Sequence, residues 1–96
     1  MEIASISHKG LRRFFETGSS RGVVGDVDRL RKMLAFIDAA GGLEELVAPP
    51  NFGLHELTGD RKGTWSMTVT RNRRLTFRID DNHALIGMDL EDYHGA

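Results

Sequence analysis

Cysteine is absent from all 96 residues, and that absence alone removes several kinds of chemistry. No disulfide framework can staple the chain, no thiolate can act as a nucleophile, and a structural zinc site is disfavoured. Proline occurs only as Pro49-Pro50, and tryptophan and tyrosine once each, as Trp65 and Tyr93. No apolar run approaches the roughly 18 residues of a membrane span, and the opening stretch lacks the apolar centre of a secretory leader. Repeats, low-complexity tracts and long linkers are missing too. The expectation is one soluble, cytoplasmic domain over residues 1–96 with no membrane partner. A chain of this length buries only about 60–65 % of its unfolded surface, enough for one modest core.

A large net charge is also missing, since 13 Lys+Arg against 14 Asp+Glu leave −1. The sum conceals a segregation. Between Asp60 and Arg78 stand six basic residues, Arg61, Lys62, Arg71, Arg73, Arg74 and Arg78, with one acid. From Asp80 onward there are five acids, Asp80, Asp81, Asp89, Glu91 and Asp92, and no Lys or Arg. Charge placement governs partners more than the total does, so a nucleic-acid partner is not excluded.

The periodicity of the chain changes once, near Pro49-Pro50. Ahead of it, Leu11, Phe14 and Phe15 predict a short apolar-striped helix ended by Gly18. Val23, Val27, Leu30, Leu34 and Ile37 predict a longer amphipathic helix stopped by Gly41-Gly42, and Leu43 to Leu46 a further turn. Behind the prolines the period becomes two. Phe52 to Leu57 reads as a strand. Trp65, Met67 and Val69 alternate with Ser66, Thr68 and Thr70, and Leu75, Phe77 and Ile79 with Arg74, Thr76 and Arg78. Arg71-Asn72 and Asp80-Asp81-Asn82 are turns, Ala84 to Leu90 a last strand, and Ile3 to Ile6 an edge strand. The fold class is therefore α+β: two N-terminal helices packed on one face of a largely antiparallel sheet. The other face carries Thr, Arg, His and Asp.

Four features exceed what packing requires. Arg74 and Arg78 share one side of a strand, and a guanidinium is a fork of donors that matches phosphate oxygens. Solvent-facing strand charges would look the same. Lys62 lies in Gly59-Asp60-Arg61-Lys62-Gly63, which lacks Walker A spacing and precedes no helix, so a nucleotide-binding P-loop is rejected. His55 falls on a strand, where a lone histidine is commonly structural. Asp92-Tyr93-His94 places an acid, a phenol and an imidazole side by side, unless it is a solvated tail. Together these cohere around cleavage of RNA by its own 2′-hydroxyl. That reaction needs a base, an acid, and cations for the charge growing on phosphorus oxygens. Histidines serve the first two roles and Arg or Lys the third. No metal or cofactor is required, and His8, His55, His83 and His94 are too scattered for a metal site.

The order Lys9-Gly10-Leu11, Phe14-Phe15, Thr17-Gly18, then Leu54-His55-x-Leu57-x-Gly59-Asp60-x-Lys62-Gly63-x-Trp65-Ser66, then Arg74-Leu75-Thr76-Phe77, then Glu91-Asp92-Tyr93-His94 resembles the HigB-type toxins. These belong to the RelE/ParE superfamily and are also called plasmid maintenance system killer proteins. The resemblance implies a microbial-RNase-like fold and a metal-independent endoribonuclease that cuts mRNA in the ribosomal A site. It implies a helix-turn-helix antitoxin of the HigA type, with DNA contacted only through that antitoxin. By position it implies a catalytic set of His55, Arg74, Asp92, Tyr93 and His94. His55 and His94 would transfer protons, Arg74 and Lys62 stabilise the phosphate, Tyr93 stack on a base, and Asp92 orient a neighbouring donor. Arg61, Arg73 and Arg78 would add to the RNA- and ribosome-binding surface. Relatives often carry Trp before the strand arginine, where this chain has Arg73. The competing reading is a toxin of the same fold that inhibits DNA gyrase or only binds its antitoxin. Retention of His55 with Asp92-Tyr93-His94 argues for the nuclease.

Overall fold

Three helices precede four strands among the described residues of the computed structural model, 1–48 and 51–92. Pro49-Pro50, where the periodicity changes, and Tyr93 and His94 of the expected catalytic set lie outside them.

Helix α1 spans Lys9–Thr17, and its ends follow from side-chain and backbone capping. The Leu11 N–H donates to His8 Nδ1 at 2.9 Å, satisfying one of the amides that a helix start leaves without a partner. Gly18 adopts φ +79° at the other end, where its N–H reaches the Phe14 carbonyl. Leu11 and Phe14 are buried, but Phe15 is 38 % exposed, so the expected stripe is narrower than three residues. The inward side of α1 is set by Gly10, Leu11 and Phe14, and Phe15 falls beside it, along a shallow groove shared with Leu34 and Ala35.

Helix α2, Val27–Ala39, starts at Asp26, whose carboxylate accepts the Arg29 N–H at 3.0 Å. Val23 therefore precedes the helix, although it packs on the core. Leu30, Met33, Leu34 and Ile37 form the buried stripe. Helix α3, Leu43–Val47, is the predicted extra turn and buries Leu46.

The strands are β1 (His55–Glu56), β2 (Thr64–Thr70), β3 (Arg73–Ile79) and β4 (Leu85–Asp92), paired antiparallel in that order. Alternation sends Met67, Val69, Leu75 and Phe77 into one core with the helices, and an irregularity in the β3–β4 ladder lets Leu85 and Met88, three residues apart, both join it. Thr68, Arg74, Arg78, Asp89 and Glu91 take the opposite, open face, as the register rows require. The N-terminal segment runs parallel to β4 through two isolated bridges, Ile3 to Leu85 and Ile6 to Met88, so the edge strand exists in abbreviated form.

One expectation fails in part. The strand foreseen over Phe52 to Leu57 is reduced to His55–Glu56, because Phe52 and Gly53 both have positive φ, 54° and 70°. The Asn51 side chain accepts the Gly53 N–H at 3.1 Å, which closes a turn in place of a ladder. Phe52 is held there by an edge-on contact with Phe36 and by the Arg29 guanidinium, 5.1 Å from its ring centroid. Tertiary contacts thus override the strand preference of the local sequence and fix the approach to His55.

Close approach explains a glycine inside α1. A Cβ on Gly10 would stand 2.7 Å from the carbonyl carbon of Gly22, a backbone atom that cannot rotate away. In an open helix Gly→Ala gains about 1 kcal/mol. At this position we expect Gly10→Ala to cost about 1–3 kcal/mol instead, through overpacking. Urea denaturation reads this directly, and a midpoint equal to or above wild type would contradict it.

Candidate active site

The open face of the sheet collects the polar residues of three strands because each strand buries its other side. His55 is the register partner of Ser66, Ser66 of Thr76, and Thr76 of Asp89, forming one row across the sheet. Thr68, Arg74 and Glu91 form the next row. From the first row, across the second and out to the β2–β3 turn, runs a cleft of about 160 Å³ lined by His55, Ser66, Thr68, Thr70, Arg71, Arg73 and Arg74. Ser66 is buried within it. His55 and Arg74, far apart in sequence, are thereby brought to one cavity.

His55 is oriented by the turn before it. Its Nδ1 lies 2.9 Å from the Gly53 carbonyl oxygen. A carbonyl only accepts, so Nδ1 carries the proton in this contact and Nε2 of the neutral ring keeps its lone pair. An exposed imidazole held in that tautomer is equipped to take a proton from a bound hydroxyl.

The loop joining β1 to β2 contains a 3-10 turn, Gly59–Arg61, followed by Lys62. Lys62 is exposed and lies outside the cleft lining. The Gly63 N–H donates to the Glu56 carboxylate at 2.9 Å, pinning the loop to β1. Arg61 reaches across the open face to β4, where its two terminal nitrogens donate to Glu91 at 2.8 and 2.6 Å. Arg78 contacts the Thr64 hydroxyl at 3.3 Å.

Glu91 is the centre of this electrostatic arrangement. It accepts the bidentate fork of Arg61 and the Thr76 hydroxyl, and Arg74 Nη2 stands 3.6 Å from its other oxygen. Hydrogen bonding by Arg61, with help from Thr76 and the charges of Arg61 and Arg74, holds the carboxyl at about 2, although partial burial opposes this. Sequence reasoning missed Glu91 as a site residue. The available signal was period-two spacing from Asp89, which puts both acids on the face that carries Arg74.

Adjacent residues diverge on the last strands. Arg73 pairs with Asp92, its register partner, while Arg74 turns to Glu91. The structure therefore does not place Asp92 beside Arg74. The Arg73–Asp92 pair borders a second cleft with His8, Val24 and Leu90, next to the loop that precedes α2. Among the described residues no group of three or more His, Asp or Glu side chains could hold a metal ion. No described helix is long and apolar enough to cross a membrane.

Residues 4–94 match the model of the HigB-like toxins, RelE-like toxins of type II toxin–antitoxin systems. Endoribonuclease HigB of Proteus vulgaris is 45 % identical over 93 residues, which cover 96 % of this chain and 99 % of that protein.

The depressed Glu91 pKa makes stability depend on acidity. The carboxyl ionises at an ordinary 4.5 when free and at about 2 in the fold, so its contribution is fully present above the higher value and lost as pH falls through the lower. That contribution amounts to at most about 3 kcal/mol. Glu91→Gln should flatten the decline of stability between about pH 5 and pH 2 and leave the neutral range unsloped. Denaturant titrations at several pH values test this, and identical slopes for variant and wild type would contradict it.

Proposed function

Because the chain belongs to the HigB-like toxin family of type II toxin–antitoxin systems, we propose that it is an endoribonuclease toxin that cuts mRNA in the ribosomal A site and so stops translation. The observation that carries the chemistry is the common cleft of His55 and Arg74, with His55 Nε2 left as an acceptor. RNA cleavage without added water begins when a base removes the 2′-hydroxyl proton. The 2′-oxygen then attacks phosphorus, and the 5′-oxygen leaves with a proton from an acid. A 2′,3′-cyclic phosphate and a 5′-hydroxyl result. The tautomer of His55 suits the base, and His94 is the acid.

Arg74 supplies fixed donors for the oxygens of the crowded phosphorus, and Lys62 adds a second positive charge from the loop that joins β1 to β2. Tyr93 stacks on a base beside the cut. Asp92 orients the Arg73 guanidinium, the donor it is paired with. Arg78 extends the basic surface toward the RNA backbone. Where relatives often carry Trp, Arg73 replaces an aromatic packing surface with a charge, which alters the wall of both clefts. A type II toxin has an antitoxin partner. Here we assign it the helix-turn-helix type, through which DNA is contacted, and we place the toxin's work in the cytoplasm, where ribosomes are.

Two measurements test the assignment. His55→Ala and His94→Ala should each lower cleavage of ribosome-bound mRNA by about 10²–10⁴, the usual worth of a general acid or base, while antitoxin binding persists. Mapping mRNA 5′ ends after brief induction shows the cuts. Full toxicity with uncut messages, or DNA damage in their place, would overturn the nuclease. The second concerns salt. Arg78→Ala should weaken binding to single-stranded RNA at every sequence and reduce the slope of log K against log salt by about 0.7, the share of one phosphate contact. An unchanged slope removes Arg78 from the RNA surface.

A further inference from the structure

Arg61 has both terminal nitrogens engaged by Glu91, so its fork is already occupied by a carboxylate on the same sheet. It is well placed for a different task. Arg61 closes the 3-10 turn and directly precedes Lys62, and Glu91 is the point where this turn is fastened to β4, 30 residues away in sequence. The same carboxylate lies 3.6 Å from Arg74, and the Thr76 hydroxyl donates to it from the neighbouring strand. One anion therefore links the loop carrying Lys62 to the strand carrying Arg74. Without it, two guanidiniums on that face would repel, and the loop would keep the Gly63–Glu56 bond to β1.

We propose that Glu91 is a positioning residue: by clamping Arg61 and steering Arg74 it presets the spacing between Lys62 and Arg74, so that both cations meet the scissile phosphate without rearrangement. This rests on the endoribonuclease reading above. Glu91 itself does not touch the substrate, and its negative charge would repel a phosphate that came close. Its value lies in orientation, since a misplacement of about 1 Å at a reacting group costs about a hundredfold in rate. Glu91 also makes Arg61 a structural cation rather than an RNA contact.

The test uses the full chain with Glu91→Gln, and Arg61→Met as an independent cut of the same clamp. Amide hydrogen exchange of residues 59–63 is followed by NMR in the free protein, and cleavage of mRNA on programmed ribosomes is measured across substrate concentrations. In both variants the loop amides should exchange about tenfold faster than in wild type. Cleavage should show kcat reduced by about 10–100-fold with KM within about threefold. The proposal is overturned by unchanged loop exchange, by a rise in KM with kcat intact, or by a loss of activity that merely follows the unfolded fraction in a thermal melt. A wild-type protein that cuts no RNA would overturn the endoribonuclease reading, whereas the exchange data would still decide whether Glu91 holds the loop.

Discussion

Strand β3 cannot slip by one residue. A slip would drive Arg74 and Arg78 into the space held by Leu75 and Phe77, and it would lift those two apolar side chains into water. Leu75 is fully buried and Phe77 nearly so, while burying an unpaired guanidinium costs several kcal/mol. The alternation of β3 therefore fixes its register against both neighbours at once. Because His55 is registered on Ser66 through β2, and Glu91 on Arg74 through β4, the same constraint fixes the geometry of the open face. The core and the site are two sides of one sheet.

The total charge of −1 acquires a structural meaning from this register. The acids that close the chain are not a solvated tail up to Asp92, for Asp89, Glu91 and Asp92 lie within β4. Antiparallel pairing sets Glu91 and Asp92 opposite Arg74 and Arg73 of β3, and Asp89 opposite Thr76. A small core leaves little freedom to bury charges, so a sheet crowded with arginine needs anions nearby to remain stable. Glu91 satisfies that need on the open face. Its carboxylate is about one-fifth exposed, close to the 19 % of Arg74, so the pair is shielded more than an ordinary surface ion pair.

Much of the fold was legible because its signals are local. The alternations of β2 and β3, the Arg71-Asn72 turn and the buried stripe of α2 are all patterns within a few residues. The helix cap at Gly18 is likewise local. What escaped the sequence depended on distant partners. The loss of strand at Phe52 follows from Phe36 and Arg29, which only the packed fold brings to it. The edge position of Phe15 follows from the seat of Gly10 on Gly22. His55 and Arg74 were legible as chemistry from residue type and as a pair through family resemblance, whereas their sharing of a cleft required the pairing of β1 with β2 and of β2 with β3. Glu91 was hidden for a further reason. An acid in a run of acids looks like a solubilising charge until its cross-strand partner is known.

Arg73 and Arg74 show why sequence neighbours need not be functional neighbours. Successive strand side chains leave opposite faces. Their partners across the β3–β4 ladder, Asp92 and Glu91, are also successive, so each arginine finds an acid on its own side. A cluster that appears doubly basic and doubly acidic in sequence is thus resolved into two separate pairs. Arg74 of the open-face pair lines the His55 cleft, while Arg73 borders that cleft and, with Asp92, the second one beside the loop before α2. The charge of Arg73 is accommodated because it stands opposite the Asp92 carboxylate. The same pairing turns Asp92 to Arg73, and Glu91 is the β4 carboxylate that faces Arg74. Any change at Glu91 or Asp92, the last residues of β4, must therefore be read against its own partner, since one substitution there alters a different arginine from the next.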